Sequence, residues 1–156
     1  MGNPGLAGAG GVIRDDQGSW VVGFVAQIGE ATAGLAELWA LFHGLNLAWS
    51  HGCLNLQVET DSQLVIQWIK NRVDPLHPHA SLLSSIRRCL TRDWLVNITH
   101  TYREGNRVAD WLSKHSLVYP YGMHELIDPP SDLGRFLHDD EMGVTFERRV
   151  VASTSL

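Results

Sequence analysis

Cysteine is scarce in this sequence, and its distribution excludes two classes of small domain. The two cysteines, Cys53 and Cys89, form no CxxC pair, and no group of Cys and His has the spacing of a zinc site. Two isolated thiols are typical of small buried residues in a reducing compartment. The sequence therefore predicts neither a disulfide-stapled nor a zinc-stapled fold.

Long apolar runs and a secretion signal are also missing. No stretch approaches the roughly 20 consecutive apolar residues of a membrane span. Residues 1–5 contain neither the basic region nor the apolar region of a signal peptide. We therefore expect a soluble intracellular protein with no membrane partner, and the sequence does not distinguish the nucleus from the cytoplasm.

A basic excess is the third absence. The chain has 12 Lys and Arg against 17 Asp and Glu, a net charge of −5. Proteins that bind nucleic acids usually carry a basic excess or a basic face. The overall charge weighs against nucleic-acid binding without excluding it, because a local basic patch could form from Arg87, Arg88, Arg92, Arg103 and Arg107.

The composition does provide a hydrophobic core. Hydrophobic residues make up 44% of the 156 residues, and six of them are Trp, whose rings bring large apolar areas to a core. This length and composition predict one domain over residues 1–118 and a mostly irregular tail over 119–156.

Hydrophobic periodicity predicts a mixed α/β order of strand, strand, helix, strand, helix, helix, strand and helix. The strands begin at Val12 and cover 20–27, 54–60 and 95–102. The helices run from a cap at Thr32 to a stop at Gly52, and over about 62–71, 79–92 and 107–117. The glycine-rich residues 2–11 are typical of turns. Within the tail, Val144–Val151 is a candidate strand.

Three acidic residues lie at the boundaries of predicted elements, where the backbone can aim them into a shared cleft. Glu37 lies on the flank of the apolar stripe of the first helix, Asp61 follows the strand 54–60, and Asp110 lies in the first turns of the last helix. Each also has an ordinary structural explanation. Glu37 and Asp110 can interact with a helix dipole, and Asp61 can cap the helix that begins at Ser62.

As a set, these carboxylates suit divalent cations. Mg²⁺ prefers oxygen ligands, and two such ions can clamp the attacking and leaving oxygens of a phosphodiester. His100, at the end of the strand before the last helix, could relay a proton or help a product leave. Metal-dependent phosphodiester hydrolysis is therefore predicted if Glu37, Asp61 and Asp110 converge in space.

Four short blocks around these residues occur in a fixed order along the chain. They are Gly2–Gly11, Ala36–Leu41, Thr60–Val65, and His100 with Arg103–Asp110. Together they resemble the type 1 ribonuclease H family, in particular its plant retroelement-derived branch, over residues 2 to about 117. Four blocks in the family's order are far more specific than any one of them.

The resemblance implies a five-stranded mixed sheet flanked by helices, and cleavage of the RNA strand of RNA–DNA hybrids by a monomer. It implies Mg²⁺ or Mn²⁺ as cofactor, held by Glu37, Asp61 and Asp110, with His100 assisting catalysis. The residues that match the family's nucleic-acid contacts are Asn3, Gln63 and Asn106. The short stretch between the second and third helices leaves no room for the basic handle of some members.

The sequence departs from the family pattern in two places. The family's first metal-binding Asp lies on a central first strand, just before the segment that matches Gly2–Gly5, and this chain contains neither. Ala33 and Gly34 occupy positions where active relatives often have polar residues that contact the hybrid. The resemblance therefore implies a ribonuclease H-like domain that lacks its first strand and has impaired activity.

A vacant central position would leave backbone groups of the neighbouring strands unpaired, each at a cost of about 1–3 kcal/mol if buried. One alternative is that Val144–Val151 fills this position. The functional alternatives to a hydrolase are a catalytically inactive binding module and a decayed retroelement fragment.

Overall fold

The computed structural model describes residues 5–71, 73–102 and 107–133, and the backbone of residues 148–155. Its strands are β1 (Gly5–Asp15), β2 (Trp20–Ala31), β3 (Asn55–Thr60), β4 (Leu95–His100), β5 (Gly122–Leu126) and β6 (Arg148–Ser155). Its helices are α1 (Ala33–Ser50), α2 (Gln63–Lys70), α3 (Ala80–Leu90) and α4 (Arg107–His115). None of these helices is both long enough and apolar enough to cross a bilayer.

The strands form one mixed sheet in the order β4-β3-β6-β1-β2-β5. A tight turn with Gly18 at φ +79° joins β1 to its antiparallel neighbour β2. β5 is antiparallel to β2, and β4 is parallel to β3. A mixed sheet flanked by helices is therefore confirmed, with six strands in the described residues rather than five.

β6 lies inside the sheet, between β1 and β3. It is antiparallel to β1 from Gly8 to Asp15 and parallel to β3 from Gln57 to Thr60. Within the described residues, it is the strand through which the two halves of the sheet are joined. Both α1 and α4 pack against it.

Two described stretches of the segment 119–156, which was expected to be mostly irregular, are strands. The segment supplies β5 and β6 to the sheet, and β6 fills the position that was expected to be vacant. Of the candidate strand Val144–Val151, the described residues 148–151 do lie in a strand, β6, which continues to Ser155. Residues 144–147 lie outside the described part of the chain.

The core lies on both faces of the sheet. On one face, Ala9 and Ile13 of β1 pack with Leu38 and Leu41 of α1. On the other face, Val12 packs with the apolar side of α4. Alternate residues of β1 thus point to opposite helices, as the two-residue period of a strand requires.

The described part of the glycine-rich segment, from Gly5 onward, is a strand and not the predicted turn. Gly8 and Gly10 face α4, and a Cβ atom on Gly10 would lie 2.5 Å from the backbone nitrogen of Ser113. A Cβ atom on Gly8 would collide with the carbonyl oxygen of Ser113. The absence of side chains at these positions lets α4 pack directly on the backbone of β1.

His43 of α1 is enclosed by aromatic rings. Its ring stacks on Trp39 with 5.5 Å between centroids, and lies 6.1 Å from Phe24 and 5.9 Å from Phe42. Burial lowers the pKa of His43 from 6.5 to about 4, because an imidazolium ion in this setting would lose its hydration. The folded protein therefore holds this histidine in its neutral form.

A proline in the middle of β6 tests the position of that strand. Val151 is in register with Val12 of β1 and Glu59 of β3, so Val151→Pro removes an N–H from a central strand. We expect the free energy of unfolding to fall by about 1–3 kcal/mol, measured by urea denaturation. The control is Ile127→Pro, at an exposed residue directly after β5, and it should cost much less. Equally small effects of both substitutions would contradict the placement of β6.

The neutral state of His43 predicts a pH-dependent stability. Between pH 6.5 and about 4, the unfolded chain binds a proton at this residue and the folded chain does not. The free energy of unfolding should therefore fall as the pH is lowered through this window. The free energy of unfolding, measured by urea denaturation at a series of pH values, should depend less steeply on pH in His43→Phe than in the wild type. In Phe42→Leu, its pH dependence should be unchanged. If the pH dependence of stability were the same in His43→Phe as in the wild type, it would have to come from other groups.

Candidate active site

The carboxyl ends of β3, β4 and β6 meet at one edge of the sheet. These three strands are parallel, and Thr60 at the end of β3 is in register with His100 of β4 and Ala152 of β6. The amide of Thr101 donates to the carbonyl oxygen of Thr60 at 2.9 Å, so the segments after β3 and β4 begin side by side. Ligands commonly bind at this end of parallel strands.

Asp61, the first residue after β3, lies half-buried at this edge. The helix cap is its neighbour Ser62, whose Oγ accepts a hydrogen bond from the amide of Val65 at 3.2 Å. Oγ1 of Thr60 in turn accepts from the amide of Ser62 at 3.2 Å. The capping role considered for Asp61 therefore belongs to Ser62, and capping does not explain an acid at position 61.

Glu37 lies on α1, the helix that covers one face of the sheet and starts near this edge. β2 ends at Ala31, which pairs with Gly5 of β1, and the amino end of β1 lies beside the carboxyl end of β6. Thr32 then caps α1, as predicted, by accepting from the amide of Leu35 at 3.2 Å. Glu37 consequently lies half-buried in the second turn of a helix that starts at the site edge.

Asp110 comes from the opposite face, in the first turn of α4. Val108 and Leu112 bury the other side of this helix against the sheet. The Asp110 side chain is 17% exposed, and its Oδ2 lies 2.9 Å from Nζ of Lys114, one turn later. Lys114 is therefore a neighbour of the predicted site to which the sequence assigned no role.

His100 and Gln63 line the same groove, which lies between α2 and β4 and has a volume of about 450 Å³. The His100 ring is half-buried and packs edge-on against Tyr102, with 5.3 Å between centroids. Gln63 is exposed and is the first residue of α2. The other two predicted nucleic-acid contacts, Asn3 and Asn106, lie outside the described residues.

The same groove has further polar residues to which the sequence assigned no role, namely Gln67, Lys70, Asn71 and Thr99. A signal for them exists, because positions 63, 67 and 70 follow the helical period. Gln63, Gln67 and Lys70 form a polar stripe on α2, next to the apolar stripe from which this helix was predicted.

Asp61 follows a strand that ends at this edge, and Glu37 lies on a helix that starts there, but the described residues do not assemble a metal site. In the parts of the chain that are described, no three His, Cys, Asp or Glu side chains are arranged to hold one ion. Carboxylates are the ligands that Mg²⁺ and Mn²⁺ prefer, so the chemistry of the donors fits these ions. Within the described residues, however, these carboxylates are not arranged around a single ion. The β6 sequence Arg148–Ser155 also contains no Asp or Glu.

Gly34, one of the positions where the sequence departs from the family pattern, has a packing role. A Cβ atom at this position would lie 2.7 Å from Cη2 of Trp68 on α2. The Trp68 ring also packs edge-on against His77 and His79, at 5.2 and 5.4 Å between centroids. A larger residue at position 34 would displace this tryptophan and loosen the contact between α1 and α2.

Two of the arginines considered for a basic patch are used within the fold. Nη2 of Arg87 donates to the carbonyl oxygens of Trp68 and Asn71, each at 2.8 Å. Nη2 of Arg92 donates to Oδ1 of Asn46 at 2.8 Å. Arg87 thus holds α3 to the end of α2, and Arg92 holds the segment after α3 to α1. Both guanidinium groups are therefore less available for phosphate than the sequence suggests.

Comparison with known proteins identifies relatives of the whole domain. The family described as Reverse transcriptase-like matches residues 2–116. A protein of Arabidopsis thaliana, named as a ribonuclease H protein, is 40% identical over 149 residues, which are 96% of this chain and 24% of that protein. The chain therefore spans about a quarter of the length of this relative.

Solved structures agree with the predicted fold class. RNase H1 from the archaeon Halobacterium salinarum has 33% identity and a TM-score of 0.69, covering 75% of this chain and 89% of that one. The N-terminal RNase H domain of a Mycobacterium tuberculosis protein has 29% identity and a TM-score of 0.69, with coverages of 75% and 86%. LC11-RNase H1 from compost, solved with an RNA/DNA hybrid, has 29% identity and a TM-score of 0.67, with coverages of 74% and 88%.

The cap at Ser62 can be tested against the alternative cap at Asp61. Ser62→Ala should lower the free energy of unfolding by about 1 kcal/mol, and Thr32→Ala at the cap of α1 should cost a similar amount. The control is Ser81→Ala, at an exposed residue of α3. Urea denaturation measures all three. A loss of this size in Asp61→Ala, with none in Ser62→Ala, would return the capping role to Asp61.

Proposed function

The chain belongs to the reverse transcriptase-like family and is a ribonuclease H-like domain, and on this premise we propose that it binds RNA–DNA hybrids and cleaves their RNA strand. The observation that carries the proposal is the position of Asp61 directly after β3, at the edge where His100 of β4 is in register with Thr60. The hybrid bound to LC11-RNase H1 supports the same class of substrate for this chain.

In this proposal, Glu37, Asp61 and Asp110 are the carboxylates that would hold Mg²⁺ or Mn²⁺. A bound cation would supply charge stabilisation at the scissile phosphate. Nζ of Lys114 lies 2.9 Å from Oδ2 of Asp110, and it would have to move away for this oxygen to bind a cation. His100, in register with Thr60, would hold or move a proton at the leaving oxygen.

Nucleic-acid contacts are proposed for Gln63, Asn3 and Asn106. Gln63 is exposed beside Asp61 and shares a groove with His100, which supports a contact close to the cleaved bond. An amide can read the 2′-hydroxyl groups displayed in the wide minor groove of an A-like duplex. We further propose that the domain acts as a monomer, and that it comes from the plant retroelement branch of the family.

A second candidate function is hybrid binding without cleavage. Two observations favour it: the described residues form no group of three ligands for one ion, and β6 brings no carboxylate to the centre of the site edge. A domain with this edge would keep its contacts with nucleic acid and lose turnover.

A cleavage assay separates the two candidates. With a labelled RNA–DNA hybrid and Mg²⁺, we expect cleavage that stops on addition of EDTA and is lost in Asp61→Asn. Asp93→Asn, at an exposed residue before β4, is the matched control and should retain cleavage. Hybrid binding without cleavage would support the second candidate. Undiminished cleavage by Asp61→Asn would refute the assigned site. A chain that does not bind the hybrid would refute both candidates.

A further inference from the structure

The groove between α2 and β4 extends well beyond the predicted site residues. It begins at Gln63, two residues after Asp61, and continues along α2 to Lys70 and Asn71. Ile66 and Ile98 contribute apolar surface to it. With about 450 Å³ of space, it is large enough to take part of a polymer that continues from the site edge.

One polar stripe of α2 forms a long side of the groove. Gln63, Gln67 and Lys70 are spaced four and three residues apart, so they lie above one another on the helix, and all three are exposed. At 1.5 Å per residue, the stripe is about 10 Å long. That length matches about three nucleotides of one strand of a duplex, at roughly 3.4 Å each.

The charge of the groove favours an anion. Lys70 is the one Lys, Arg, Asp or Glu among the described residues that line it. The groove thus contains an ammonium group and no carboxylate, although the chain as a whole carries a net charge of −5. Lysine binds phosphate as a point charge, so this end of the groove suits a phosphate of a nucleic-acid backbone.

The uncharged side chains of the groove suit ribose rather than deoxyribose. Gln63, Gln67 and Asn71 each carry an amide that both donates and accepts hydrogen bonds. A 2′-hydroxyl group has the same dual character, and it is the group that distinguishes RNA from DNA.

We infer that this groove binds the sugar–phosphate backbone of the RNA strand beyond the scissile phosphate, with Lys70 on a phosphate and Gln67 on a 2′-hydroxyl. The inference rests on the proposed function, because it continues the bound strand from Asp61 along α2. It adds an extended subsite for about three nucleotides.

Lys70 is tested by the affinity of the full chain for a labelled RNA–DNA hybrid, measured by fluorescence anisotropy in EDTA so that no cleavage occurs. Lys70→Gln should weaken binding by about 3- to 10-fold and reduce the slope of log K against log salt concentration by about 1. Lys70→Arg should restore both. The control is Asp16→Asn, which changes the net charge by the same amount at an exposed residue of the β1–β2 turn, and it should change neither.

Gln67 is tested by comparing the hybrid with a DNA duplex of the same sequence. Gln67→Ala should weaken hybrid binding by about 3- to 10-fold and leave the affinity for the DNA duplex unchanged. Gln17→Ala, at an exposed residue of the β1–β2 turn, should change neither affinity. Circular dichroism melting of each variant checks that it is folded.

Two results would overturn the subsite and leave the proposed function intact. One is equal affinity and equal salt slope for the wild type and Lys70→Gln. The other is a loss in Gln67→Ala that is the same for the hybrid and the DNA duplex. A wild-type chain that binds no hybrid at all would instead refute the proposed function, and the subsite with it.

Discussion

The pairing of β6 on both of its sides is the interaction on which the rest of the structure depends. In the described residues, β1, β2 and β5 form one half of the sheet, β3 and β4 form the other, and β6 joins them. Backbone groups buried without these partners would cost about 1–3 kcal/mol each. The same strand sets the amino end of β1 beside the carboxyl end of β3, so the geometry of the candidate site depends on it too.

The local elements could be predicted because their information is local. The cap at Thr32, α1 and the alternation in β3 were all found from short-range periodicity. β6 was found only as a candidate, because its partners are more than 80 residues away along the chain. The glycines of β1 were predicted to form turns. They are needed instead because the backbone of α4 packs closely on them, and the composition alone does not reveal that contact.

The candidate site was predictable to a similar degree. The ends of helices and strands can be predicted from the sequence, and acidic residues next to these ends can therefore be identified as well. The choice between Asp61 and Ser62 as cap depends on the backbone at a single residue, which only the structure gives. The ion pair of Asp110 with Lys114 and the groove along α2 require side chains in three dimensions. The acidic net charge obscured a groove in which Lys70 is the one Lys, Arg, Asp or Glu among the described lining residues.

Hydrogen exchange of the backbone amides, read by mass spectrometry, tests the central claim most directly. If β6 is a central strand, the amides of residues 149–155 should be protected to a degree similar to those of β1 and β3. Rapid exchange of residues 149–155, alongside full protection of β1 and β3, would contradict this account of how the sheet and its site edge are held together.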